Sequence, residues 1–135
     1  MNIKGLNFKM TCSASPEQYD VYDSSGKQVG YVRLRWGGLS CTYPDVCGEE
    51  IYYANVGSDY CGVFENNNQR MMYLNKIADK ILKTTNVEKF LQDIDLVCMK
   101  HNLSISHEDG QGEFIIEGYN KYNIERLFHA CKDYK

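Results

Sequence analysis

The stretch Gln28-Val29-Gly30-Tyr31-Val32-Arg33-Leu34-Arg35-Trp36-Gly37-Gly38-Leu39-Ser40-Cys41-Thr42-Tyr43 decides the fold. Its first half is β-prone and alternates, with Val32, Leu34 and Trp36 on one face and Tyr31, Arg33 and Arg35 on the other, the pattern of a half-buried strand. On this spacing Trp36 anchors the core while the arginines face outward. Gly37-Gly38 supplies the positive φ that a tight reversal requires, and Leu39 to Tyr43 reads as the returning strand, stopped by Pro44. A hairpin written this clearly makes an antiparallel sheet the organising element.

Outward from it, Gln18 to Asp23 is a strand joined to Gln28 through Ser24-Ser25-Gly26-Lys27, a link short enough to make the two neighbours. Leu6 to Ser13 alternates as well, placing Leu6, Phe8, Met10 and Cys12 on one face, and Ser13-Ala14-Ser15-Pro16 breaks it. Glu50 to Asn55 continues the series downstream, giving an antiparallel meander of four to five strands. Gly57 to Asn68 is a loop rich in Gly and Asn that ends in N-cap chemistry. Met71, Leu74, Ala78 and Ile81 then recur at helical spacing, to about Lys83. Thr84-Thr85-Asn86 reads as a break before a second helix, whose apolar face is Val87, Phe90, Leu91, Ile94, Val97 and Cys98. Leu103 to His107 and Glu113 to Glu117 flank Glu108-Asp109-Gly110-Gln111-Gly112 as a second hairpin, and a final helix starts at Asn120 or Asn123. Strands cluster and helices cluster, so the fold class is α+β: a meander, two helices, a β-hairpin and a C-terminal helix, in one domain spanning residues 1–135.

A chain of 135 residues with 43% hydrophobic and 24% charged residues is ordinary for a globular protein. Its apolar runs are far short of the roughly 20 residues needed to cross a bilayer, and no signal-peptide pattern follows Met1. No membrane partner is expected, and the expected location is the cytoplasm. The six cysteines contain no C-x-x-C pair, which argues against a zinc ribbon or a redox centre; free thiols are expected, with Cys12, Cys98 and Cys131 buried. With 15 basic against 18 acidic residues the net charge is −3, so the electrostatic footprint of a duplex DNA binder is missing. Neither phosphate-loop pattern occurs, and no cofactor or metal is implied.

Three groups of residues are candidates for a site. Arg33 and Arg35, with Tyr31 on the same face, combine guanidinium groups suited to phosphate with an aromatic face suited to stacking on a base. The eleven tyrosines supply rigid amphipathic contact area, and Tyr52 and Tyr60 lie in a Gly-punctuated stretch typical of recognition loops. Exposed tyrosines also make a homodimer a reasonable expectation. His107, Glu108 and Asp109 concentrate an imidazole and two carboxylates beside a turn, although adjacent strand residues point to opposite faces. No catalytic residue is assigned.

Two stretches, Tyr19-Asp20-Val21-Tyr22-Asp23 through Gly30-Tyr31-Val32-Arg33-Leu34-Arg35 and Ser104-Ile105-Ser106-His107-Glu108-Asp109-Gly110, resemble small uncharacterised accessory proteins of Firmicutes phages and prophages. The resemblance covers about half the chain and transfers no functional residue. It implies a context: compact phage proteins of this size are frequently antagonists of bacterial immunity, some binding Cas effectors and others sequestering nucleotide signals. The expected function is therefore a non-enzymatic binding protein that inhibits a host defence system, its partner a defence protein or a small nucleotide signal, in the cytoplasm of the host bacterium. The alternatives are a small metal-dependent hydrolase or transferase centred on His107, Glu108 and Asp109, and a regulatory phage protein that binds nucleic acid.

Overall fold

The computed structural model describes residues 1–107 and 114–132, and of His107, Phe114, Cys131 and Lys132 the backbone only. The chain is α+β and groups into two compact units, Met1–Thr84 and Thr85–Lys135.

The first unit is built on a six-stranded antiparallel meander: β1 (Asn2–Ile3), β2 (Leu6–Cys12), β3 (Glu17–Tyr22), β4 (Gln28–Arg35), β5 (Gly38–Tyr43) and β6 (Glu49–Asn55), each paired with the next. The sheet has one strand more than the four or five expected, because β1 is only two residues long and carries no readable alternation. It pairs through Ile3 and Leu6 around Lys4-Gly5, both with positive φ. The hairpin from β4 to β5 uses the same device one residue earlier than the sequence suggested. Arg35 pairs with Gly38, so the two central residues are Trp36 (φ 51°) and Gly37 (φ 72°), the positive pair that a type I′ turn requires. Alternation therefore ends at Arg35, and Trp36 leaves the core face that Val32 and Leu34 share.

One face of this sheet is closed. Phe8, Tyr19, Val21, Val32, Leu34, Leu39 and Cys41 are buried together with Leu74, Ile77, Ala78 and Ile81 of helix α1 (Asn67–His101). The helix comes close because β4 carries glycine where it crosses: a Cβ on Gly30 would meet the Ile81 side chain at 2.8 Å. Asn66 caps the helix by accepting from the Gln69 N–H at 2.9 Å, and the Gln69 side chain turns back to accept from the Glu65 N–H at 2.9 Å.

The break expected at Thr84-Thr85-Asn86 does not occur, and the two expected helices are one helix of 35 residues. Thr84 donates its hydroxyl to the Lys80 carbonyl at 3.0 Å, which satisfies the side chain inside the helix instead of in a competing cap. The helix ends at Asn102, whose φ of 53° is the left-handed C-terminal stop that Asn tolerates.

The second unit holds the helix from Thr85 onward, the hairpin β7 (Leu103–His107) with β8 (Phe114–Gly118), and α2 (Lys121–Lys132), capped by Asn120 accepting from the Tyr122 N–H at 2.9 Å. Among its described residues few are buried: Leu91, Cys98 and Ile124, with Ser104 and Asn123 in a polar link. Asn123 donates to the Glu117 carboxylate at 2.6 Å and to the Ser104 hydroxyl at 3.3 Å, and Ser104 donates to the Gly118 carbonyl at 2.9 Å. The expected apolar helix face is buried only in part, since Phe90 is 62% and Val97 58% exposed. Among the described residues no helix is long and apolar enough to cross a membrane.

Candidate functional site

The outer face of the meander carries the arginines. Pairing sets Tyr31 beside Asp20 and Thr42, and Arg33 beside Gln18 and Ser40, while Ser40 in turn faces Tyr53 of β6. Adjacent strands lie about 4.8 Å apart and same-face residues about 7 Å along a strand, so these side chains form one continuous polar and aromatic patch. Among the described residues neither Arg33 nor Arg35 joins an ion pair.

At one end of this face the patch becomes strongly aromatic. The Arg35 guanidinium lies 3.8 Å from the centroid of the Trp36 ring, and the indole is 67% exposed. Tyr53, also exposed, leans across Gly38, where a Cβ would meet its hydroxyl at 2.8 Å, and donates to the Asn55 side chain at 3.2 Å. The turn is fastened to the loop that follows β6: Gly37 donates to the Cys61 carbonyl at 2.6 Å, and Val56 donates to the Gly37 carbonyl at 2.7 Å. Only glycine fits at Gly37, since a Cβ there would lie 2.6 Å from the carbonyl oxygens of Gly57 and Ser58. The loop is held again where Glu17 donates its N–H to the Gly62 carbonyl at 2.6 Å. Tyr60, next to Cys61, is 96% exposed on this anchored loop.

The structure thus brings Tyr31, Arg33 and Arg35 onto one face, as alternation predicts, and ties the Tyr60 loop to the end of that face. It places Tyr52 elsewhere. Tyr52 pairs with Cys41 and packs against the core, where burial first, and then the neighbouring Tyr73, push its phenol above the ordinary value. Adjacent strand residues point to opposite faces, so Tyr52, in register with the buried Cys41, turns inward while Tyr53, opposite Ser40, faces outward. Trp36, expected inside, joins the exposed cluster. The His107 side chain, Glu108 and Asp109 lie outside the described residues; among those that are described, no cluster of His, Cys, Asp or Glu could hold a metal ion.

A second constellation lies on the closed side of the sheet. Glu17, 1% exposed, accepts from Arg70 Nε at 2.7 Å and Nη2 at 3.1 Å, from the Phe64 N–H at 3.3 Å and from the Tyr19 hydroxyl. Burial acts to raise the Glu17 carboxyl, but the hydrogen bonds from Arg70, Tyr19 and Phe64 outweigh it and hold the group below its ordinary value. Tyr19 is pushed well up by its own burial and by the carboxylate, and therefore stays neutral. Both carboxylate oxygens are occupied from within the chain, so the set is a clamp joining β3, the Phe64 loop and α1. Sequence reading missed it by starting the strand at Gln18, although Glu17 is in phase with Tyr19 and Val21 and so belongs to the inner face. The five cysteines whose side chains are described are free thiols, the Cys131 side chain lying outside the described residues; Cys12 is half-buried instead of buried, because the register shifts between Met10 and Cys12. Burial pushes the Cys41 thiol up to about 12, which removes it as a nucleophile.

Comparison of the chain with protein-family models, with curated proteins and with solved structures finds no match.

Proposed function

We propose that the chain is a non-enzymatic binding protein that uses the Arg33, Arg35, Trp36, Tyr53 and Tyr60 end of its open sheet face to hold an anionic ligand with a planar ring, in the manner of a nucleotide signal. The resemblance to phage accessory proteins makes the consequence inhibition of a bacterial defence system, by withholding that signal.

The observation that carries this reading is Trp36. A bulky side chain in the left-handed region costs about 1–2 kcal/mol relative to glycine, and asparagine or glycine is the usual residue at this turn position. An indole left largely in solvent regains little of that cost by burial. Folding therefore does not ask for tryptophan here, and a strained, exposed aromatic beside two arginines that join no ion pair supports a recognition role. Arginine suits a phosphate through its planar fork, and the rings suit a base.

Replacing Trp36 by Gly separates the two roles. The variant is expected to keep or gain stability while losing affinity at least about tenfold for whichever member of a mono- and dinucleotide panel binds the wild type. A panel in which no nucleotide binds, or a Trp36→Gly variant with full affinity, overturns the reading. Affinity for single-stranded RNA with a steep salt slope transfers the surface to nucleic acid instead.

A further inference from the structure

We propose that the second unit pairs with a second copy of itself through the C-terminal half of α1, the two helices running antiparallel with Ile94 opposite Val97 of the other copy. Val87, Phe90, Ile94, Val97 and His101 recur at alternating intervals of three and four, the a/d spacing of a helix seam. Their neighbours Leu91 and Cys98 turn into the unit's own core, while Phe90 and Val97 remain mostly exposed. Between this seam and β7 runs a groove of about 230 Å³, lined by Phe90, Asp93, Ile94, Val97, Cys98 and Ile105. The seam thus offers both the knobs and the hole that interdigitating helices need.

Charge selects the partner and the register. Asp93 and Lys100 are exposed, flank the seam on the same side seven residues apart, and among the described residues join no ion pair within the chain. In a parallel pair Asp93 would face Cys98 of the other copy, and His101 would meet His101 in the seam. In the antiparallel register that sets Ile94 opposite Phe90, Asp93 would approach its own equivalent. Setting Ile94 opposite Val97 instead brings Asp93 to Lys100 of the second copy, and twofold symmetry makes the same contact twice. Only this arrangement joins opposite charges across the apolar layers, and like-charge contacts disfavour the antiparallel rival.

Analytical ultracentrifugation of the full chain tests the pairing. The wild type is expected to dimerise, and Asp93→Lys or Lys100→Asp alone to raise the dimer dissociation constant about tenfold or more, because each turns both contacts repulsive. An equimolar mixture of the two variants is expected to dimerise again, since every contact in the mixed pair is then attractive, and the double variant D93K/K100D is expected to recover for the same reason. Both positions are exposed, and unchanged circular dichroism serves as the folding control. A wild type that stays monomeric up to about 1 mM, single variants that dimerise like the wild type, or a mixture that stays monomeric would each overturn the proposal.

Discussion

The two units bury themselves to very different extents. In Met1–Thr84 a six-stranded sheet and a helix enclose a core in which Val21, Val32, Leu34, Leu39, Leu74, Ile77 and Ile81 are all inaccessible to solvent, and a buried carboxylate is fully partnered. In Thr85–Lys135 two strands and two helical segments leave Phe90, Leu96, Val97, Met99, Ile116 and Tyr122 exposed. A short chain has too much surface for its volume, so a unit of this size closes its core poorly by itself. The larger unit is finished by its own chain, whereas the smaller leaves apolar side chains exposed.

The contrast is most sharply tested at the clamp. Arg70→Ala strands the Glu17 carboxylate in the core and is expected to cost about 3–5 kcal/mol in urea denaturation followed by circular dichroism. A loss below about 1 kcal/mol would mean that the first unit does not depend on its buried pair. The same clamp sets an acid limit. Because the folded-state pKa of Glu17 is lowered, its contribution is present above the ordinary value of 4.5 and disappears as pH falls through the folded value. Glu17→Gln is expected to flatten that part of the stability profile below pH 4.5.

Matched truncations compare the cores directly. Ile77→Ala is expected to cost about 2–5 kcal/mol, as deletion from a filled core does, whereas Ile94→Ala, half-buried on the groove, should cost only about 1 kcal/mol. Equal losses would erase the distinction between the units. The smallest stability effect is expected of the Arg33→Ala and Arg35→Ala double variant, within about 0.5 kcal/mol of wild type, since exposed charges contribute little to folding. Its ligand affinity should nevertheless fall about tenfold or more, measured by calorimetry with the nucleotide that the wild type binds.

Much of the first unit was legible because its signals are local. Alternation in Leu6–Phe8, Tyr19–Val21 and Val32–Leu34 names the inner face, and the helical recurrence of Leu74, Ala78 and Ile81 names the helix stripe. What was hidden depended on register or on distant partners. Trp36 changes face because the turn begins one residue early, and Tyr52 turns inward because it falls in register with Cys41; neither is written in residue types. Thr84 continues a helix by bonding to Lys80, where a Thr-Thr-Asn run reads equally well as a cap. The Glu17–Arg70 contact closes across 53 residues, beyond the reach of any local pattern. Arg33 and Arg35 are legible from alternation and Tyr60 from its glycine-punctuated loop, whereas Trp36 and Tyr53 come into view only once the hairpin is in place.

Trp36 is also the chain's only tryptophan, and its position makes the protein its own optical probe. An indole already in water emits at the red end of its range whether or not the core is intact, so intrinsic fluorescence is a poor reporter of unfolding here. Under the proposed function it would instead report occupancy: a base stacking on the ring, or a phosphate drawing the Arg35 guanidinium away from it, is expected to quench or shift the emission. Nucleotide titrations that test the proposed site can then be followed without a label.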